Sequence, residues 1–285
     1  MHRIIDSPVK TAVAVALISI IPIFFITMFW DFISASILPN TKLGLYDKEF
    51  WENILVEVHG ILIELTVIGV LIIWLDSRRN KNTEIIRLNE DLEDYAQLDF
   101  PEINVKKLGH IKRLNKAGIT AINIQNLVLN GLHIRGLIVR SSKMIGLKVT
   151  SGTISNSCFF DVQMRSANFE NSIIKNTKFD KSILLKSNFS SSSCKGVSFK
   201  DTSVERADFT NCNLQSAIFV NSDLRGVKLQ GANLKQCSFQ GASNIDINEI
   251  AKASNIDYIS ISENLLESLK ILRPDMKFQN RMSRT

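Results

Sequence analysis

The chain has 285 residues, of which 45% are hydrophobic and 22% are charged, and its formal net charge is +6. This length leaves room for one large domain or two modest ones, and the mildly basic charge suits an anionic partner without requiring one. The four cysteines form no CxxC pair and no Cys/His cluster with zinc-ligand spacing, which excludes a structural zinc site and favours buried thiols in a reducing compartment.

The first predicted element is a membrane-spanning helix at residues 11–30, a run that contains no charged residue. A helix needs about 20 apolar residues to cross the hydrocarbon core of a bilayer. A cleaved signal peptide is the alternative, since SAS at 34–36 resembles a processing site. The run is longer than the roughly 7–15 residues of a signal-peptide core, and a second apolar run follows directly, so the sequence favours a span.

The second predicted element is a span at about 52–75, and the two spans together form a membrane anchor at residues 1–76. Ionisable residues within a span cost about 2.5–3.5 kcal/mol each and are therefore functional candidates. Glu57, Gly60 and Glu64 follow at i, i+3 and i+7, and His59 lies among them. We predict that this transmembrane polar face is an interface between copies of the chain or a polar pathway. Glu57 and His59 lie near enough to the outer end to reach water or headgroups.

The distribution of basic residues predicts the orientation of the anchor. Lys and Arg precede the first span and follow the second, for example Arg3 and Arg78, whereas the intervening loop contains only Lys42 and Lys48. The positive-inside rule then places both termini in the cytoplasm. The predicted location is the bacterial inner (cytoplasmic) membrane, with two passes and most of the chain on the cytoplasmic side.

Residues 77–118 are predicted to form a helical linker and an N-terminal cap. An amphipathic helix is expected at 83–95, Pro101 interrupts the pattern, and a short second helix is expected at 104–118, ending at Gly118. His110 and the Lys/Arg residues around it are interpreted as a solvated face or a contact with lipid headgroups, and not as a catalytic set.

A five-residue period follows. Every fifth residue from Ile119 to Phe239 is apolar, 25 positions in succession, and the residue two positions earlier is mostly small in the second half of the run. A period of five residues matches neither a β-strand, whose side chains repeat every 2 residues, nor an α-helix, which repeats about every 3.6 residues. A chain that turns a corner every five residues directs both positions inward. Four such sides would close a coil of about twenty residues, and the coils would stack at about 4.8 Å.

Several segments match the repeat A(D/N)LXX, among them ANFEN (167–171), ADFTN (207–211) and ANLKQ (232–236). On these motifs, residues 117–242 resemble the pentapeptide-repeat family. The resemblance implies a mainly β fold, a right-handed quadrilateral parallel β-helix at residues 119–242. A C-terminal helical cap and tail at 243–285 is expected to close the solenoid, with a helix at about 262–272.

No catalytic function is predicted. The 25 repeats contain no inserted loop, and the sequence has no Gly-rich phosphate loop, no HExxH and no nucleophile elbow. We therefore expect no enzyme activity, no cofactor and no metal. The first functional hypothesis is a membrane-anchored interaction scaffold, homo-oligomeric, that presents the solenoid to an unidentified protein or to an anionic partner.

Residues twenty positions apart should lie above one another, which predicts two basic surface rows. The first row contains Arg135, Lys175, Lys195 and Lys235, and the second contains Lys186 and Arg206. These rows are candidates for contact with an acidic protein, anionic lipid or nucleic acid, and an ordinary solvated surface is the alternative reading.

Two further functions are considered. The anchor would make the chain an oligomeric membrane effector if it formed a pore or perturbed the bilayer, with the solenoid as a sensor of stress or attack. Some pentapeptide-repeat proteins mimic DNA and protect type II topoisomerases. Such mimicry needs an acidic surface, whereas residues 117–242 contain fifteen Lys/Arg and seven Asp/Glu.

Overall fold

The structure is a computed structural model that describes residues 8–37 and 48–277. The chain divides into two compact units, Met1–Ile86 and Arg87–Thr285. The division falls inside a long helix, ten residues after the boundary expected at 76/77. The domain boundaries proposed from the sequence remain predictions.

The first unit is helical. Its helices are α1 (Pro8–Met28), α2 (Trp30–Ile37) and most of α3 (Lys48–Asp94). By length and composition α3 is able to cross a membrane, and the pair Val13–Met28 and Trp30–Ser36, bent by 71°, qualifies if it is counted as one span. Arg3 and Lys42, which enter the orientation prediction, lie outside the described residues.

The second unit begins with the last two turns of α3 and the helix α4 (Pro101–Lys116). Pro101 begins α4, because the fixed φ of proline suits the first helical position and its missing N–H is not needed there. Leu108, Ile111 and Leu114 form the buried apolar face of α4. The backbone N–H of Val128 donates to the carbonyl of Ala96 at 2.8 Å and ties the connection between the helices to the first coil.

The rest of the second unit is a β-solenoid of short parallel strands. The strands are β1 (His133–Arg135), β2 (Ile138–Lys143), β3 (Thr153–Ser155), β4 (Cys158–Gln163) and β5 (Ile173–Lys175). They pair as β1-β3-β5 and β2-β4 with a register of twenty residues, so that Ile134 pairs with Ile154 and Ile154 with Ile174. Single parallel bridges continue this register as far as Asp223 and Ser243. One coil therefore contains four pentapeptides.

The final coil differs from the others. The bridges Asn233–Asn255 and Ser238–Ser260 have a spacing of twenty-two residues. The short helix α5 (Ile247–Ala251) lies within this coil. The helix α6 (Glu263–Leu272) follows, in the segment where the sequence predicts a helix.

The core consists of the residues at the five-residue period. Of the 25 positions from Ile119 to Phe239, all are buried except Ile119, which is half-buried. Phenyl rings from alternate sides stack in two columns, with centroids 4.8–5.6 Å apart between successive coils. The columns are Phe159, Phe179, Phe199, Phe219 and Phe239, and Phe169, Phe189 and Phe209.

The polar residues of the repeat satisfy the backbone. Hydroxyl groups in the small inward position donate to carbonyls of the preceding coil, as Ser187 Oγ does to Met164 O at 2.9 Å. The Asn or Asp that follows accepts from the N–H two residues later, as Asn168 Oδ1 does from the N–H of Glu170 at 3.0 Å. Because buried backbone groups need partners, these side chains explain why the repeat prefers small hydroxyl residues and Asn or Asp.

The corners adopt the left-handed backbone conformation. Each fifth residue from Asn126 to Gly241 has a positive φ, between 45° and 72°. Asn, Gly, Ser and Asp occupy most of these positions, in keeping with the preference of small polar residues and glycine for this region. Lys181, Lys186, Arg206 and Gln236 are exceptions, and the close approach of their Cβ to the following carbonyl oxygen makes the conformation about 1–2 kcal/mol less favourable.

Candidate functional site

The predicted polar face of α3 is divided between two sides of the helix. His59 lies on the side that approaches α1, with its Nε2 3.2 Å from Thr27 Oγ1 and its Nδ1 2.6 Å from the carbonyl of Leu55. Glu57, Gly60 and Glu64 are exposed. At 100° per residue, position 59 points about 160° away from position 57, so the helix geometry separates His59 from the two glutamates.

Partial burial confirms which side of α3 is covered within the first unit. Between residues 55 and 73 the half-buried residues recur at helical spacing along one stripe: Leu55, Val58, His59, Leu62, Thr66, Gly69, Val70 and Ile73. Glu57, Gly60 and Glu64 lie on the opposite side. Neither glutamate side chain has a hydrogen-bond or ion-pair partner among residues 8–37 and 48–277. Sequence spacing alone found the glutamate stripe but could not show which side α1 covers.

A groove of about 480 Å³ lies next to His59 and is lined by Trp30, Asp31, Glu52 and Leu55, among others. Its polar groups are largely occupied by one another. Trp30 Nε1 donates to Glu52 Oε1 at 3.1 Å, and Lys48 Nζ lies 3.7 Å from the same carboxylate oxygen. The carboxylate of Glu52 is therefore already engaged by Trp30 and Lys48.

The N-terminal cap (residues 87–118) buries polar residues that the sequence had suggested would be solvated. Lys107 is fully buried, and its Nζ donates to the carbonyl of Leu98 at 2.7 Å and to that of Ala96 at 3.2 Å. Burial away from water lowers the pKa of Lys107. The expectation of a solvated cluster was wrong for Lys107 and His110, because both lie on the face of α4 that packs inward.

Asp99 anchors the same cap. Its two carboxylate oxygens accept hydrogen bonds from Asn104 Nδ2 at 2.8 Å and from Asn130 Nδ2 at 2.9 Å. These two hydrogen bonds lower the pKa of Asp99. Sequence reasoning missed this cluster. The spacing of Asn104, Lys107 and His110, three residues apart on one helix face, is the signal that could have found it.

His110 is, with Lys107, one of two buried titratable groups of the cap, and 3% of its surface is exposed. Its Nδ1 has no hydrogen-bond partner among the described residues, and Asp91 Oδ2 lies 3.8 Å away. Burial lowers the pKa of His110, and the nearby charge of Arg113 lowers it further, while Asp91 opposes both effects. The cap is thus built around a neutral imidazole.

This arrangement predicts that the cap loses stability in acid. A histidine in the unfolded chain takes up a proton as the pH falls through about 6.5, whereas folded His110, with its lowered pKa, resists protonation, so folding becomes less favourable. We expect the thermal midpoint of the detergent-solubilised chain to fall between pH 7.5 and pH 5.5. The thermal midpoint of the variant His110→Gln should fall by less over the same pH interval. If the midpoints of the two proteins fell equally, protonation of His110 would not be the cause of the acid sensitivity.

The first basic row lies on one side of the solenoid. Arg135, Ser155 and Lys175 are directly in register on successive coils. Bridges from Ile173 through Ser193 and Asn213 to Asn233 continue the same side. Arg135, Lys175 and Lys195 are exposed, and Lys235 is half-buried.

The outward residues of this side constitute a surface that we call the basic face. It comprises His133, Arg135, Thr153, Ser155, Ile173, Lys175, Ser193, Lys195, Asn213, Gln215, Asn233 and Lys235. It contains no acidic residue, since all seven Asp and Glu of residues 117–242 belong to the other three sides. None of its four Lys and Arg side chains makes an ion pair or hydrogen bond in the part of the chain that the structure describes. Its charge is therefore uncompensated.

The second basic pair has different surroundings. Lys186 and Arg206 are exposed and occupy equivalent corners of successive coils. Arg206 Nε lies 3.9 Å from Glu205 Oε1. Glu205 therefore offsets the charge of Arg206, and the surface around the second pair is not uniformly basic.

The cysteines are core residues. Cys194, Cys212 and Cys237 are buried and Cys158 is half-buried, all four as free thiols. Burial raises the pKa of the Cys194 and Cys237 thiols, which keeps them protonated. The described residues contain no group of three or more His, Cys, Asp or Glu side chains arranged to hold a metal ion.

The twenty-residue parallel register and the buried five-residue period define a β-solenoid repeat protein. A family model described as "Pentapeptide repeat region" matches residues 162–239. This match supports the pentapeptide-repeat family for the solenoid, and it includes none of the helical first unit. Members of this family are generally non-enzymatic and act in protein interaction or as DNA mimics.

Two of the solved structures similar to the chain are described as pentapeptide-repeat proteins. One, from the thylakoid lumen of Arabidopsis thaliana, is 24% identical with a TM-score of 0.31, and the alignment covers 32% of this chain and 63% of that protein. Another, from the cyanobacterium Cyanothece 51142, is 19% identical with a TM-score of 0.22, covering 47% of this chain and 93% of the other.

A third, QnrB1, is a plasmid-mediated fluoroquinolone resistance protein that is 17% identical with a TM-score of 0.23, covering 52% of this chain and all of the other. The aligned part of this chain spans less than two thirds of the length of the Arabidopsis protein. No curated protein matches the sequence.

Proposed function

We propose that the chain is a membrane-anchored, non-enzymatic interaction protein whose solenoid binds an acidic partner protein through the basic face. In this proposal the solenoid is a right-handed quadrilateral β-helix. The helices of the first unit anchor it in the inner membrane, with two passes and both termini in the cytoplasm. The observation that carries the proposal is the basic face itself, whose outward residues from His133 to Lys235 include no acidic side chain and four positive charges without an ion-pair partner among the described residues.

The geometry of the basic face suits an extended acidic segment. Arg135 and Lys235 are five coils apart, which corresponds to about 24 Å at the ~4.8 Å spacing of parallel strands. An extended peptide rises about 3.3 Å per residue, so roughly seven residues would cover the row. Asn and Ser side chains between the cations supply hydrogen-bond donors. No Phe, Tyr or Trp lies on this face, which makes base stacking by single-stranded nucleic acid unfavourable.

Charge reversal tests this function. The double variant Lys175→Glu and Lys195→Glu should reduce recovery of the partner from native membranes at least tenfold, because like charges that face each other across an interface cost several kcal/mol. The measurement is affinity capture of the tagged full chain with quantitative mass spectrometry of proteins and lipids. Loss of bound anionic lipid or nucleic acid, instead of a protein, would assign the face to that partner.

A matched control separates the basic face from overall charge. Lys178→Glu with Lys200→Glu changes the net charge equally, but on the neighbouring side, where Asp180 and Asp201 already lie. This control should recover the partner as wild type does. Equal losses in the two double variants would show that the basic face has no special role.

A second candidate function is an oligomeric membrane effector, a pore or a membrane-perturbing assembly with the solenoid as its sensor. Glu57 and Glu64, both exposed within the apolar segment expected to span the membrane, favour it. Ion flux through liposomes that contain the full chain is the measurement. Flux that disappears in Glu64→Leu would support conduction, whereas partner binding that persists in Glu64→Leu without any flux would support the scaffold.

A further inference from the structure

The carboxyl group of Glu64 needs a partner that residues 8–37 and 48–277 do not supply. Glu64 is the only ionisable residue between Ile61 and Leu75. It lies at the middle of the span expected at 52–75, about 17 Å from either end at 1.5 Å per residue. A glutamate side chain is far too short to reach water from that depth, and unsatisfied polar groups in hydrocarbon cost several kcal/mol.

The side of α3 that packs within the first unit is not the side that contains Glu64. The covered stripe includes His59, Leu62 and Thr66, and the helix α1 approaches it through Thr27. Glu64 is exposed on the other side, together with Glu57 and Gly60. Lipid tails offer neither donors nor acceptors. The group that satisfies Glu64 therefore comes from another molecule.

We propose that a second copy of the chain packs against the stripe formed by Glu57, Gly60 and Glu64. This inference rests on the proposed membrane anchoring. Two copies inserted with the same orientation place identical residues at the same depth, so a twofold axis along the membrane normal brings Glu64 opposite Glu64 of the second copy. One carboxyl group, protonated, donates a hydrogen bond to the other, and the pair needs no other polar group.

Gly60 makes this approach sterically feasible. No atom lies within 4 Å of the position that a Cβ on Gly60 would occupy, so the helix surface is open there. Small residues at such positions let helix backbones approach closely in membranes, where packing and interhelical hydrogen bonds drive association. Gly60 is one turn from Glu64 and supplies the gap that the paired carboxyl groups require.

The chain offers a matched control for this interface. Gly69 is nine residues after Gly60, which at 100° per residue places it on the opposite side of α3. It is equally open, with no atom within 4 Å of a Cβ position, and it belongs to the covered stripe. The variants Gly60→Leu and Gly69→Leu therefore add the same side chain to the same helix on opposite sides.

Sedimentation equilibrium of the full chain in density-matched detergent measures the association. We expect wild type to be dimeric, Gly60→Leu to raise the dissociation constant at least tenfold, and Gly69→Leu to change it less than twofold. Glu64→Gln should retain the dimer, since an amide both donates and accepts, whereas Glu64→Leu should weaken it. A monomeric wild type, or equal effects of the two glycine variants, would overturn the proposal.

Resistance to alkaline carbonate extraction from native membranes, measured on the same variants, separates this inference from the proposed function. A chain that is extracted refutes the anchor and with it the interface. A chain that resists extraction but remains monomeric refutes the interface alone. Ion flux that Glu64→Gln abolishes would place the carboxyl groups in a water-filled path and would also overturn the packed interface.

Discussion

Replacing Phe179 with alanine is expected to lower the free energy of unfolding of the solenoid by about 3–5 kcal/mol. The phenyl ring is fully buried, and it stacks between Phe159 at 5.1 Å and Phe199 at 5.6 Å. It also meets the edges of Phe169 and Phe189. Removing the ring would leave a cavity in one phenyl column, next to the other column. The neighbouring coils cannot move inward to fill it without losing their backbone pairing.

Denaturant titration of the detergent-solubilised full chain, followed by far-UV circular dichroism, measures this loss. Lys178→Ala is the matched control, one residue earlier on the same coil but exposed. It should change the stability by no more than about 0.5 kcal/mol. If the two variants were equally stable, Phe179 would not be part of a packed core.

The variant Lys107→Met is expected to destabilise the N-terminal cap by about 1–3 kcal/mol. Methionine fills a similar volume but cannot donate to the carbonyls of Ala96 and Leu98, which Lys107 now satisfies. The expected result is faster hydrogen exchange in residues 95–116, with little change in the coils near the C-terminus.

Lys112→Met provides the comparison for this prediction. Lys112 is on the same helix and is exposed, so the same substitution removes a solvated charge without creating unsatisfied carbonyls. Its exchange pattern should match that of wild type. Similar acceleration in both variants would indicate that the charge of α4, and not the buried hydrogen bonds, stabilises the cap.

Residue periodicity predicted the core because it reports burial directly. Phe199 and Leu214 are buried as the five-residue period requires, and Ile134 pairs with Ile154 at a separation of one predicted coil. The corner conformation was not predicted. Residues such as Lys186 and Arg206 have side chains unsuited to positive φ, and they hide a pattern that Asn and Gly would otherwise reveal.

The candidate sites were harder to predict, because they depend on which elements pack together. The spacing of Glu57, Gly60 and Glu64 gave one helix face, but the contact between His59 and Thr27 joins residues 32 positions apart. Lys107 and His110 look like surface residues by composition. Their burial follows from the docking of α4, and the only local hint of it is their three-residue spacing with Asn104 on one helix face.

Inward positions of the solenoid repeat every five residues, whereas the basic row on its outside repeats every twenty, and this difference limits how the chain can change its length. Gaining or losing five residues would keep every later core residue pointing inward, since each side is equivalent for packing. The later outward residues, however, would turn by a quarter of the circumference, and Lys195 and Lys235 would move away from Arg135. Only steps of twenty residues preserve both patterns, so a lineage that retains a charged side under selection should vary in whole coils.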